Sequence, residues 1–450
     1  MGEKRSEEFV LSEDPYYRMS QISMDNYEIE YWDVNETISE LSYLTHGYFR
    51  YYGKFPSKIG KLIMQDLDTR HLISKDRDIV LDNYAGSGTS LVEAKLKGYD
   101  SFGIDINPFA VLACKVKTRN YNMNVLNTYW STLQCEIVAY NQAMSRVAEP
   151  ILTFASVDPT VKKAIIEEKE LFYASNKDAE KWFDSETVTG LAIIKRLLLI
   201  RPASIEREFF ELAFFAIIRR VSTAYDGEVR PHVNRKKRRR DVQDAYIKKV
   251  TEMLNQMEEW NHATSNNVIS DAALCSNTDA NNIQHIIDAL QHRTGKQLGL
   301  VISHPPYLNC FDYISVYKLK FMWARGFDDI FYGYNISQIK NMEIRSYPAD
   351  STKKIEKYFK HNEEVYQIVF DQLRKNGYCC VVIGDCTIRN KLFPVHKTFI
   401  TLLEKIGFVT EKVVYRSTSY GIGQYAYRFR ADYNENEGRK QDGVIFFRKP

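Results

Sequence analysis

The sequence predicts an α/β chain: a mainly parallel sheet with helices packed on it, interrupted by a helical insertion. Three observations predict this. Short apolar runs at 78–82 (DIVLD), 101–106 (SFGIDI), 298–302 (LGLVI) and 377–383 (GYCCVVI) read as buried strands. Segments of helical period follow several of them, and strand–helix alternation marks a parallel sheet. Between residues 121 and 265 strand signals almost vanish, while 178–200, 205–225 and 241–260 read as helices.

Each element has its own reason. Residues 1–40 form a polar N-terminal extension without a clear period. Its charged start lacks the apolar stretch of a secretory signal, although Gly2 and Ser6 fit a loose myristoylation pattern. The chain then runs irregularly to Pro56, whose fixed φ suits the first turn of a helix. The strand 78–82 leads into the turn Asp82-Asn-Tyr-Ala-Gly-Ser-Gly-Thr89, and a helix over 90–97 is closed by Gly98. After the strand 101–106, Asn107-Pro108 opens a helix through Lys117. In the helix 241–260, Val242, Tyr246, Val250, Met253, Met257 and Trp260 share one face. Strands resume at 267–271 (NVISD) and 298–302. A helix over 362–375 precedes the strand 377–383, and another over 395–406 ends at Gly407. The runs 408–415 and 443–448 (GVIFFR) read as an antiparallel pair on the sheet edge. The expected organisation is therefore an extension (1–40), one α/β domain (41–120 and 266–450) and a helical insertion (121–265).

Composition narrows the classes. Hydrophobic residues make up 44% and charged residues 26% of 450, ordinary globular usage, which excludes a disordered chain or a coiled coil. No run of 18 apolar residues exists, so neither a transmembrane helix nor a membrane partner is expected. Lys and Arg number 61 against 58 Asp and Glu, so any argument about charge must rest on local clusters. The seven cysteines are scattered without metal-ligand spacing. They read as reduced thiols, with no disulfide and no metal.

Two turns carry chemistry. Gly86 and Gly88 follow a strand and open a helix, where glycine lets backbone approach a ligand and N–H groups stay free. The third glycine of a dinucleotide fingerprint is replaced by Leu91, and no P-loop Lys is present. Asp105, at the end of the next strand, can accept hydrogen bonds from both hydroxyls of a ribose. The pair suits an adenosine-type cofactor without pyrophosphate. The second turn, His304-Pro305-Pro306-Tyr307, follows another buried strand. Its prolines fix φ and leave carbonyls held in set directions, and its tyrosine offers a flat face. Acceptors plus a ring suit an exocyclic base amine, whose lone pair attacks once its N–H groups are hydrogen-bonded. Such a base has to leave the duplex.

Together, Asp82–Thr89, Gly103-Ile-Asp-Ile-Asn-Pro108, Ser270-Asp-Ala272 and His304–Tyr307 resemble the amino-group DNA methyltransferases, the cytosine-N4 and adenine-N6 enzymes. Gly53-Lys-Phe-Pro56 is similar to their motif that closes over the methionine moiety. The resemblance covers roughly 41–450 without most of the insertion. It implies a Rossmann-like methyltransferase fold, with a mainly parallel seven-stranded sheet and an antiparallel edge strand, and S-adenosyl-L-methionine as cofactor. It implies that Lys54, Phe55 and Pro56 close the cofactor site. Asp82, Tyr84, Gly86, Gly88 and Thr89 would meet the methionine end, Asp105 the ribose, and Ile106 the adenine. Asp271 and Ala272 would lie beside the adenine amino group. His304, Pro305, Pro306 and Tyr307 would form the catalytic turn, with Tyr307 stacking on the target base. His304 departs from the family, which has Asp or Asn in adenine-type sites and usually Ser in cytosine-N4 sites.

The resemblance further implies double-stranded DNA as partner, a cognate restriction endonuclease as a candidate partner, and a cytoplasmic, nucleoid-associated place in a prokaryotic-type cell. No Pro-Cys nucleophile is present, which disfavours cytosine-C5 chemistry. The expected activity is methylation of an exocyclic amine, cytosine N4 first. Adenine N6 in DNA, an RNA base, or a non-catalytic nucleic-acid-binding subunit are the alternatives. Arg235, Lys236, Lys237, Arg238, Arg239 and Arg240 end a run of seven basic residues in eleven, a candidate for phosphate contact. The insertion is the first candidate for target recognition and 417–441 the second.

Overall fold

The computed structural model describes the chain except residues 1–8, 35, 38, 146–156, 239, 311, 332, 345–346 and 417–441. Its strands are β1 (Glu28–Trp32), β2 (Asp78–Asp82), β3 (Ser101–Asp105), β4 (Ser270–Leu274), β5 (Gln297–Ser303), β6 (Tyr378–Gly384), β7 (Cys386–Ile388), β8 (Lys391–Phe393), β9 (Val409–Arg416) and β10 (Asp442–Arg448). β7 and β8 form a small hairpin. The other eight make one sheet in the order β1-β9-β10-β6-β5-β2-β3-β4. All neighbours are parallel except β10, which runs antiparallel to both β6 and β9. β2 and β6 are buried along their whole length, as their unbroken apolar runs require for strands covered on both faces. This is the strand arrangement of the Rossmann-like methyltransferase fold.

Three details differ from the sequence reading. The extension adds an eighth strand, β1, on the edge beside β9; its alternating EIEYW leaves Tyr31 78% exposed, as an edge strand can. The antiparallel strand β10 is internal, not at the edge. Its run GVIFF is fully buried, which an edge would not allow. β4 begins three residues later than the run NVISD suggested, at Ser270. That shift matters at the site below.

The insertion is helical: Met123–Met144, Pro159–Ser175, Ala179–Trp182, Ser185–Leu199, Ile205–Val221 and Val242–Ala263. The first two were not singled out in the sequence. The predicted helix 178–200 is two pieces broken at Phe183, and Asp184 caps the second through Thr187 N. The face of 241–260 read from periodicity is buried at all six positions. One continuous core joins the insertion to the sheet domain. In it Phe109 meets Phe215 at 4.8 Å and Trp323 stacks on Phe172 at 4.0 Å. Among the described residues no helix is long and apolar enough to cross a membrane, and no cluster of His, Cys, Asp or Glu is arranged to hold a metal ion.

Candidate active site

A cavity opens at the carboxyl ends of β2, β3 and β5, where parallel sheets bind ligands. Its empty space is about 790 Å³, part of it open to solvent. The turn after β2 forms one wall. Gly86 and Gly88 take left-handed conformations (φ +51° and +74°), which favour glycine. A Cβ at Gly86 would lie 3.0 Å from the Tyr51 ring, and one at Gly88 3.1 Å from Cys114 Sγ. Gly86, Tyr84 and Thr89 line the cavity, whereas Gly88 shapes the turn from behind.

Asp105 closes β3 and lines the same wall. Its Oδ2 accepts from Gly86 N and its Oδ1 from Asn107 N, both at 2.8 Å. Burial raises its pKa to about 6 against these bonds. The carboxylate thus ties the glycine turn to the second strand and keeps lone pairs for a further donor. Ile106 lines the cavity next to it. Asp82 stands deeper: its Oδ1 accepts from Tyr84 N at 3.1 Å, and burial raises its pKa to about 7. It orders the turn rather than lining the cavity.

The segment before the first long helix supplies the roof. Lys54 and Phe55 line the cavity, and burial lowers the Lys54 pKa. Pro56 does not reach it and instead precedes the helix Ser57–Thr69. Tyr51 stacks on Tyr317 at 5.3 Å and on Tyr313 at 6.2 Å. Asp271 and Ala272 do not line the cavity. The later start of β4 puts them in the first half of the strand, paired with Phe102 and Gly103, away from its carboxyl end. Asn277, three residues beyond β4, takes that place and donates from Nδ2 to Asn83 O at 2.5 Å.

The turn after β5 forms the facing wall. His304 and Pro306 line the cavity. The His304 ring sits edge-on between Phe55 (5.2 Å) and Tyr307 (5.1 Å). Tyr358 donates its hydroxyl to Pro306 O at 2.7 Å, anchoring the turn. Pro305 is buried behind it. Tyr307 also turns inward, only 6% exposed, and donates to Asp442 Oδ1 at 2.7 Å. Arg416 holds the other oxygen of Asp442 at 2.6 Å. A Cβ on Gly384 would fall 2.6 Å from the Tyr307 ring, so glycine there makes room for it. In this conformation Tyr307 braces His304 and does not present a face to the cavity.

The residues fit a nucleoside with a charged tail. Asp105 and Asn277 offer polar groups for sugar and base, Ile106, Met342 and Ile344 an apolar wall. Ser87 Oγ, on the cavity wall, is buried and without a partner among the described residues, an orphan that a bound polar group would satisfy. Tyr51, Asn277, Met342, Glu343, Ile344 and His361 were missed in the sequence; Asp312-Tyr313 resembles the cytosine-N4 type there, without a role in the cavity for Tyr313. Only Asn277 had a local signal there, as a turn residue following a strand.

Of the basic run, Arg235, Lys236, Arg238 and Arg240 are exposed. Lys237 is not available: it donates to Arg219 O (3.0 Å) and Ala224 O (2.8 Å) and pairs with Asp226 at 3.1 Å. It pins its loop. Arg239 and the second recognition candidate, 417–441, lie outside the described residues.

No family model matches the chain. Over 81 residues it is 37% identical to the type II methyltransferase M.MjaII of Methanocaldococcus jannaschii, which covers 18% of this chain and 14% of that protein. Over 189 residues it is 24% identical to the type II methyltransferase M.MvaI of Kocuria varians, 41% of this chain and 36% of that one. The matches thus span well under half the length of either relative.

Proposed function

We propose that this chain methylates an exocyclic amine of a DNA base, cytosine N4 first, using S-adenosyl-L-methionine. One observation carries the reading: a single cavity is lined on one side by Gly86 and Asp105 and on the other by His304 and Pro306. The similarity to two type II methyltransferases supports it. When bound, S-adenosyl-L-methionine supplies an electrophilic methyl group on sulfur. Asp105 accepts from the ribose hydroxyls and fixes the cofactor's direction. The His304 ring accepts from the base amine, and Pro306 closes the wall beside it. With its N–H groups held, the amine would present its lone pair to the methyl group, sulfur leaving as a neutral thioether, and the proton lost from nitrogen would pass to His304 or to water. Tyr313, in the cavity wall beside Tyr51, offers an aromatic face to the base, while Tyr307 braces the turn. Positioning of amine and methyl group supplies most of the rate.

An imidazole accepts only when neutral. With cofactor saturating, activity then falls on the acid side, and His304→Ser keeps activity while losing that limb. The test is single-turnover transfer of labelled methyl to duplex DNA and to RNA across pH 5–9, with modified-base sequencing of DNA from cells expressing the chain alone. Methyl on adenine N6 or on RNA redirects the substrate. Binding of cofactor and DNA without any transfer overturns the enzyme reading in favour of a non-catalytic subunit. Expression without harm to host DNA of a nuclease encoded beside it would identify a restriction partner.

A further inference from the structure

A second groove lies on the far side of the segment that roofs the cavity. It is lined by Arg50, by Arg219 and Arg220 at the end of the helix Ile205–Val221, by Arg240, by Lys249 and by Lys320. Six cations face two acids, Asp226 and Glu252, and Asp226 is already taken by Lys237. Arg50, Arg220 and Arg240 have no ion pair among the described residues. An adjoining hollow extends the same surface with Arg238 and Lys248, beside the acids Asp241 and Asp244.

Lys320 is the least expected member. Its ammonium sits over Phe49 (5.0 Å) and Tyr317 (5.2 Å), with no hydrogen-bond acceptor among the described residues. Burial pushes its pKa down to about 7, with Arg219 and Arg50 adding repulsion. Arg219 is held by Val229 O (2.7 Å) and Tyr225 O (2.8 Å) and Lys249 by Gly47 O (3.1 Å), but gathering Arg50, Arg220, Arg240 and Lys320 beside them costs mutual repulsion. An external anion removes that cost.

We propose that this groove seats the phosphodiester backbone of a DNA duplex beside the base-modifying cavity. The proposal deepens the methyltransferase reading and rests on it for the identity of the polyanion. The cations come from four chain segments, a spread suited to successive phosphates rather than to one small anion. The distance to the chemistry is short. Tyr51 lines the cavity, while Arg50 and Tyr52, its two neighbours, line the groove. Tyr52 N donates to the Tyr317 hydroxyl at 3.1 Å, which fixes this dividing segment. A backbone gripped here leaves one extruded base a single segment away from His304.

The experiment is fluorescence anisotropy of a labelled duplex between ~50 and ~200 mM salt, since each phosphate contact adds about 0.9 to the log–log slope. The variant Arg50→Ala/Arg220→Ala/Arg240→Ala is compared with Arg293→Ala/Lys353→Ala/Lys357→Ala, an equal loss of charge on exposed helices elsewhere. The groove variant is expected to lose about 2.7 from the slope, and the control much less, with cofactor affinity by calorimetry retained in both. A single exposed change, Arg240→Glu, is expected to weaken binding by itself, and it guards against misfolding of the triple variant. Equal losses in groove and control variants, or no loss in the groove variant, overturn the proposal. So does binding through these residues of RNA but not duplex DNA. Wild-type protein that binds DNA through the groove but takes no S-adenosyl-L-methionine would instead overturn the proposed function and leave the groove standing.

Discussion

Asp105 is held by two backbone N–H groups at 2.8 Å, yet burial raises its pKa to about 6, and that of Asp82 to about 7. Both values lie above those of an unfolded chain, so the free folded protein binds more protons than the unfolded one. Their favourable share of stability is complete below about pH 4 and is lost as pH rises through 6 to 7. In the proposed function, ribose hydroxyls would donate to Asp105 and favour its ionised form. Cofactor binding should therefore release protons near pH 6 and tighten as the pH rises through that value. Calorimetry in two buffers of different ionisation enthalpy measures this, and zero release at pH 6 would remove Asp105 from the ribose. Asp105→Ala should weaken the affinity roughly ten- to a hundredfold, about 1.5–3 kcal/mol for hydrogen bonds to a charged group.

At the scale of elements, the pairing of β2 with β5 shows how a strand is fixed in register. β5 slips by one residue between Leu298 and Leu300, leaving Gly299 as the extra residue of a bulge. A Cβ there would lie 2.2 Å from Asp78 Oδ1. Asp78 is fully buried and cannot yield, because Arg374 Nε binds Oδ1 at 2.6 Å and Ser74 N binds Oδ2 at 2.8 Å. Gly299→Ala should therefore destabilise by about 1–3 kcal/mol through overpacking, read as a lower urea midpoint. Nothing in the run LGLVI announces this, since Asp78 lies more than two hundred residues away. The same limit explains what the sequence showed of the site. The glycine turn, Asp105, His304 and Pro306 are local patterns at strand ends and are legible as lining one cavity. Tyr51, Tyr313, His361 and Asn277 reach the cavity from separate segments, which only the assembled sheet brings together. Asp271 was misplaced because one strand boundary shifted by three residues, and Tyr307 because a motif does not fix which way its ring turns. β1 went unread because an edge strand with one wet face has little apolar signal.

Across the whole molecule, the insertion and the sheet domain share one core, with Trp323 fully buried against Phe172. Unfolding should then be a single cooperative transition, with tryptophan fluorescence and far-UV dichroism coinciding in urea. Trp323→Ala should lower stability by about 3–5 kcal/mol while keeping one transition; separate transitions would mean that the insertion folds on its own. The place of β10 has a further consequence, for the order in which the chain can assemble. β10 is the last strand in sequence, yet it stands between β6 and β9, and β1 touches the sheet only through β9. The first strand therefore waits for a partner more than 380 residues downstream, and that partner waits for the last strand to intercalate. Such remote pairing closes large loops before it is rewarded, so folding should be slow and its final phase should be the docking of this three-strand flank. Removing residues 442–450 would take away one strand and leave two others with nothing to join.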